Sequence, residues 1–142
     1  MPLLDEDLQA QLKEEFAKLA NPVRLVVFSQ ALADPESEQV AHLVEELAAL
    51  DPKITAESLN YVLDKARADA LGVTRTPAIA VLGAQKDYGI RIYGSPQGYE
   101  FGSLIDAILD VSRGQTDLAP ETKLALGKLE RPVHIQVFST PT

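Results

Sequence analysis

Cysteine is absent from the 142 residues. That excludes a disulfide framework, a cysteine-based zinc site and any thiol nucleophile carried by this chain. Tryptophan is absent as well, and aromatic residues make up only 6 %. The core therefore has to be built from Leu, Val, Ile and Ala. Histidine occurs only at His42 and His134, far apart and without a neighbour at metal-ligand spacing, so no metal ligands are nominated. No apolar run approaches the ~18 residues of a membrane span. The opening Met-Pro-Leu-Leu-Asp-Glu-Asp is acidic where a secretory or mitochondrial leader is basic, which predicts a cytoplasmic protein with no membrane partner. Gly-x-Gly-x-x-Gly, Gly-x-x-x-x-Gly-Lys and Gly-x-Ser-x-Gly are all missing. No catalytic residue and no cofactor is expected.

Positive charge is scarce too. The net charge is −8, and residues 1–71 hold 14 acidic side chains against 6 basic ones, whereas residues 72–142 hold 7 of each. A phosphate backbone would be repelled by the first half, so nucleic acid is not an expected partner.

What is present is a regular alternation of helical and extended patterns. Leu4, Leu8, Leu12, Phe16 and Leu19 mark a one-faced helix whose opening turn carries Asp5, Glu6 and Asp7. Val23–Phe28 is a β-branched run with one charge and apolar residues on both faces, the signature of a central strand. Asp34-Pro35 opens a second helix as a cap followed by proline, with Val40, Leu43, Val44, Leu47 and Leu50 on its stripe. Residues 53–71 read two ways: one helix reaching back to Ser58, or a strand over Lys53–Leu59 and a helix from Tyr61 capped by Asn60. Ala78–Leu82 and Tyr88–Tyr93 form a hairpin. Ser95-Pro96 signals a fourth helix with Phe101, Leu104, Ile105, Ile108 and Val111 on one side. A short helix follows from Pro120 to Leu129, and Val133–Phe138 reads as a last strand.

Taken with a strand at 53–59, the order is an α/β protein with a βαβα-ββα core around a mixed central sheet. This is the thioredoxin-like arrangement, with an extra N-terminal helix and a C-terminal helix leading into another strand. Residues 131–139 also echo residues 21–29, with five identities in nine positions, as though a second unit began there.

Three stretches carry a resemblance over essentially the whole chain. They are Leu19-Ala20-Asn21-Pro22-Val23-Arg24-Leu25-Val26-Val27-Phe28, then Thr74-Arg75-Thr76-Pro77-Ala78, and Tyr93-Gly94-Ser95-Pro96-Gln97-Gly98-Tyr99-Glu100-Phe101. With the closing Val-His-Ile-Gln-Val-Phe-Ser-Thr-Pro-Thr they resemble the first unit of the two-unit protein disulfide oxidoreductases, glutaredoxin-like proteins built from tandem thioredoxin folds. The N-terminal region of the alkyl hydroperoxide reductase flavoprotein is a similar sister candidate.

The resemblance implies the strand reading of residues 53–59, a cis-proline at Pro77 facing the redox motif, and backbone hydrogen bonds from Thr76 to an extended peptide substrate. It places the redox Cys-x-x-Cys on Asp34-Pro35-Glu36-Ser37, so Asp34 and Ser37 hold vestigial motif positions and the unit is redox-silent. It divides the chain into a unit over 1–130 and, over 131–142, the first strand of a second unit. The function it implies is that of a cysteine-less structural and docking unit of a thiol–disulfide oxidoreductase. The expected partners are the second unit, polypeptide substrates or a reductase, with self-association through 133–138 as a further possibility.

Two other functions fit the same residues: a stand-alone peptide-binding module using Thr76 and Pro77, and an accessory unit of a flavin-linked peroxide-reducing system. Blander readings accompany the site residues. Asp34 serves as a plain N-cap, Thr76-Pro77 as a fold-required turn, and Tyr88, Tyr93 and Tyr99 as packing groups.

Overall fold

The computed structural model describes residues 2–30 and 34–140. The elements run α1 (Glu6–Phe16), β1 (Val23–Ser29), α2 (Pro35–Leu50), β2 (Ile54–Asn60), α3 (Lys65–Ala70), β3 (Ala78–Gly83), β4 (Ile90–Tyr93), α4 (Tyr99–Arg113) and α5 (Pro120–Gly127). The four strands form one sheet in the order β2-β1-β3-β4. β1 pairs parallel with β2 and antiparallel with β3, and β4 is antiparallel to β3. This is the mixed sheet the alternating pattern predicts.

β1 is buried on both faces over Leu25–Phe28, as the apolar run after Arg24 requires. Val23, Leu25 and Val27 join Ile79 and Val81 in the larger core, which α1, α2 and α4 cover with Leu12, Phe16, Leu47, Leu104 and Ile108. Val26 and Phe28 face the other way, into a smaller core with Ala68, Val73, Ala80 and Leu82 under α3. Alternation along the two central strands thus feeds two separate cores.

Several boundaries depart from the sequence reading, each for a local reason. Asp34 occupies the N-cap of α2, but its carboxylate makes no capping bond to a backbone amide; it accepts the Ser37 hydroxyl instead. The helix expected from Tyr61 begins at Lys65, because the Asn60 side chain takes the amides of Val62 and Leu63 into a turn first. Ser95-Pro96 does not start α4. Gly98 follows at φ +60°, a conformation that favours glycine, and the helix begins at Tyr99. Tyr99 itself stands in solvent rather than packing.

α5 buries no side chain. The strand expected over Val133–Phe138 does not form among the described residues. Residues 131–140 lie exposed, with Val133, Ile135, Val137 and Phe138 between 62 % and 88 % accessible. The four described strands pair with one another, and the segment adds no strand to their sheet. Residues 141 and 142 of the expected second unit lie outside the described residues.

Candidate functional site

The antiparallel register sets Phe28 opposite Ala78, so the C-terminal end of β1 and the N-terminal end of β3 share one end of the sheet. Tyr93 also pairs with Ala78, which brings the end of β4 to the same place. The start of α2, the Thr74–Pro77 loop and the Gly94–Ser95 turn therefore converge. Two hydrogen bonds connect them: the Ser95 amide donates to Glu36 Oε1 at 3.2 Å, and the Gly94 amide donates to the Pro77 carbonyl at 2.9 Å.

The peptide bond between Thr76 and Pro77 is cis. Pro77 is buried and Thr76 half-buried. The loop before them is held by two tyrosines. Tyr61 Oη donates to the Thr74 carbonyl at 3.2 Å, and Tyr93 Oη accepts from the Thr74 amide at 3.4 Å. The Arg75 guanidinium lies 3.9 Å from the centre of the Tyr93 ring, a cation–π contact. Tyr93 is thus a positioning group for the loop, which the alternation of its strand alone did not reveal.

At the start of α2, Asp34 and Ser37 touch directly. The Ser37 hydroxyl, 2 % exposed, donates to Asp34 Oδ2. One turn of helix separates them, the spacing that lets a first and a fourth residue meet. A carboxylate and a hydroxyl so arranged can hold one another, but neither can exchange a disulfide. The two positions taken from the sequence are therefore adjacent in space, and both lie at the end of the sheet that carries the cis-proline.

A groove of about 320 Å³ runs beside this cluster without including Asp34, Thr76 or Pro77. Its walls are Leu3, Leu4 and Leu8, then Leu43 of α2, Pro96 in the loop and Phe101 of α4. The N-terminal segment that forms one wall is held by Glu46, whose carboxylate accepts the amides of Leu3 at 2.6 Å and Leu4 at 2.9 Å and the His42 ring at 2.7 Å. Burial alone would raise the Glu46 carboxyl, but those two amides and His42 outweigh it and hold the group below its ordinary range.

Among the described residues, no group of three His, Asp or Glu side chains is placed to hold a metal ion. No helix there is long and apolar enough to cross a membrane.

No protein-family model matches the chain. Among curated proteins, an NADH dehydrogenase of Bacillus subtilis is 33 % identical over 110 residues, which is 78 % of this chain and 19 % of that protein. Among solved structures, the N-terminal domain of alkyl hydroperoxide reductase AhpF from Enterococcus faecalis superposes with a TM-score of 0.76 at 31 % identity, covering 85 % of this chain and 58 % of that one. A protein disulfide oxidoreductase from Aeropyrum pernix superposes with a TM-score of 0.77 at 26 % identity, over 90 % of this chain and 57 % of that one. The chain thus spans about a fifth of the curated relative and under three fifths of either solved chain. The sheet order, the cis-proline loop and these likenesses converge: this is a thioredoxin-like unit homologous to the N-terminal domain of AhpF and structurally akin to the protein disulfide oxidoreductases.

Proposed function

We propose that the chain is the redox-silent carrier unit of a cytoplasmic thiol–disulfide exchange protein, orienting and helping to dock a neighbouring unit that bears the dithiol. The observation that carries the reading is a thioredoxin-like sheet with a cis bond at Thr76-Pro77 and with Asp34 and Ser37 in direct contact at the start of α2. The reading takes these two residues as the positions of the lost dithiol. The start of α2 is where amides and the helix dipole would lower a thiol pKa, and a carboxylate occupies it.

Residues 131–142 begin the neighbouring unit in this reading. The exposed alternation of Val133, Ile135 and Val137 supports it, since such a strand is stable only when paired. So does the greater length of the solved relatives. In the whole protein, a thiolate of the second unit attacks a substrate disulfide and forms a mixed disulfide. Its partner cysteine then displaces the substrate thiol, so the dithiol is oxidised as the substrate disulfide is reduced. The higher identity to AhpF favours a flavin-linked, peroxide-reducing setting over a free-standing oxidoreductase.

The double substitution Asp34→Cys with Ser37→Cys tests the site. The unchanged chain gives the no-protein baseline in an insulin-reduction assay. The double variant forms an internal disulfide on mild oxidation and reduces insulin above that baseline. A folded variant with two titratable thiols and no internal disulfide would show that these are not the dithiol positions. The carrier role is tested by the mass and thiol count of the protein isolated from its natural source. A thiol-free protein of 15.4 kDa overturns it.

A further inference from the structure

The groove beside the silent site has a one-signed border. Its lining residues lie in three stretches, at residues 3–8, at Gln39 and Leu43, and over 95–101. Within two positions of a lining residue there are six carboxylates, Asp5, Glu6, Asp7, Glu38, Glu45 and Glu100, and not one Lys or Arg. All six are exposed, and none is in an ion pair among the described residues.

The opposite face differs. There Glu57 is bracketed by Arg24 and Arg67, Asp69 is paired with Lys65, and Asp87 with Arg91. Negative charge is paired on that face and left unpaired in the stretches that line the groove.

The groove floor is apolar, and of the polar side chains on its wall only the Gln39 amide is left without a protein partner among the described residues. The Ser95 amide is held by Glu36, and Gln97 donates to the Ser95 hydroxyl at 3.3 Å. A small polar ligand would find few free groups to fix its orientation. A space of about 320 Å³ takes about two leucine-sized side chains. Anionic lipid and nucleic acid would both be repelled by the border.

We propose that this groove docks an amphipathic segment of a partner protein, one that presents aliphatic side chains flanked by lysine or arginine. The aliphatic groups enter between Leu4, Leu8, Leu43 and Phe101, while the flanking cations meet those of the carboxylates that stand next to the groove, such as Glu38 and Glu100. Recognition follows the helix-in-groove pattern, with the charged border steering encounter and setting register. This deepens the docking part of the carrier reading and rests on it for the need of a partner. Its test uses the chain alone and is blind to redox chemistry, so its failure leaves the silent-site assignment standing.

The probe is a synthetic peptide of about 14 residues with leucines on one helical face and lysines elsewhere. A glutamate-for-lysine version and a scrambled version of the same composition serve as controls. Titration into isotope-labelled protein is expected to shift the amides of Leu8, Gln39, Leu43 and Phe101. The exposed double substitution Glu38→Lys with Glu100→Lys is expected to weaken binding about tenfold while leaving the spectrum otherwise folded. Raising the salt from about 0.05 to 0.5 M weakens it several-fold, as screening demands. Equal binding of the glutamate or scrambled peptide overturns the proposal. So do shifts confined to β2 and α3, or the absence of shifts with peptide at about 1 mM.

Discussion

Ser112 offers the sharpest test of how the two ends of this molecule are joined. Its side chain, 0 % exposed near the end of α4, accepts the Asn21 amide at 3.0 Å and donates to the Asn21 carbonyl at 2.8 Å. The Asn21 side-chain amide returns a third bond to the Ser112 carbonyl at 2.7 Å. These bonds tie α4 to the turn between α1 and β1. Ser112→Ala removes the first two and leaves the third.

A partly buried amide or carbonyl stripped of its partner costs about 1–3 kcal/mol. Asn21 itself reaches solvent, so water can recover one of the two groups, whereas the Ser112 site admits none. Alanine returns about 0.5 kcal/mol through its better helix propensity. The net expectation is a loss of about 0.5–2.5 kcal/mol. Urea unfolding followed by far-UV circular dichroism reads it as a midpoint lower by a few tenths of a molar to about 1 M, for a slope of about 2 kcal/mol/M.

Ser103→Ala on the same helix is the control. Its hydroxyl makes only an exposed 3.4 Å bond to the Tyr99 carbonyl, and its replacement is expected to be neutral or slightly stabilising. If Ser112→Ala changes stability by less than about 0.5 kcal/mol, the reasoning that buried satisfaction rather than burial alone holds this corner is refuted.

Two further outcomes follow from local geometry. Glu46→Gln keeps one acceptor for the two amides of Leu3 and Leu4, and is expected to cost about 1–2 kcal/mol and to speed hydrogen exchange at both. Because the Glu46 carboxyl lies below its ordinary range in the fold, its contribution is complete above the ordinary glutamate range. It is lost as pH falls through the depressed value, and acid titration of the Leu4 exchange rate checks both direction and window. Gly83→Ala would place a methyl 2.8 Å from the Lys86 carbonyl oxygen, a backbone atom that cannot swing aside. The β3–β4 turn has to shift, and thermal unfolding is expected to show a loss of about 1–3 kcal/mol; an unchanged midpoint contradicts the close approach.

The central strands and the long helices were legible because each carries its period plainly. Val23–Phe28 reads as buried on both faces, and the stripe of Val40, Leu43, Val44 and Leu47 reads as one helical face, and so they fold. The junctions were less legible, since they depend on competition between short-range bonds. Asn60 diverts two amides and delays α3, and Gly98 delays α4 past a cap-and-proline signal that usually starts a helix. Asp34 and Ser37 could be named from the resemblance, yet their mutual hydrogen bond replaces the cap that propensity suggested. The groove was invisible in one dimension, because its walls come from three separated stretches. Its charged border was present in the sequence as an excess of acid in the first half, without any indication of where that charge would gather.

The double burial of β1 leaves its registration unusually dependent on its ends. In a strand with one wet face, sliding by a single residue throws apolar groups into water, and solvation alone forbids it. In β1 such a slide would exchange Leu25 and Val27 for Val26 and Phe28, one dry environment for another. What opposes it is punctuation. The Val23 amide is fixed on the Lys53 carbonyl at 2.8 Å, the Lys53 ammonium on the Leu19 carbonyl at 2.7 Å, and the Ser29 carbonyl takes the Tyr61 amide at 2.8 Å. Arg24, the one charged residue of the strand, must reach Glu57 and the surface. The innermost strand of the molecule is thereby kept in step by a handful of polar groups at its margins and by the fit of its side chains, with little help from solvation.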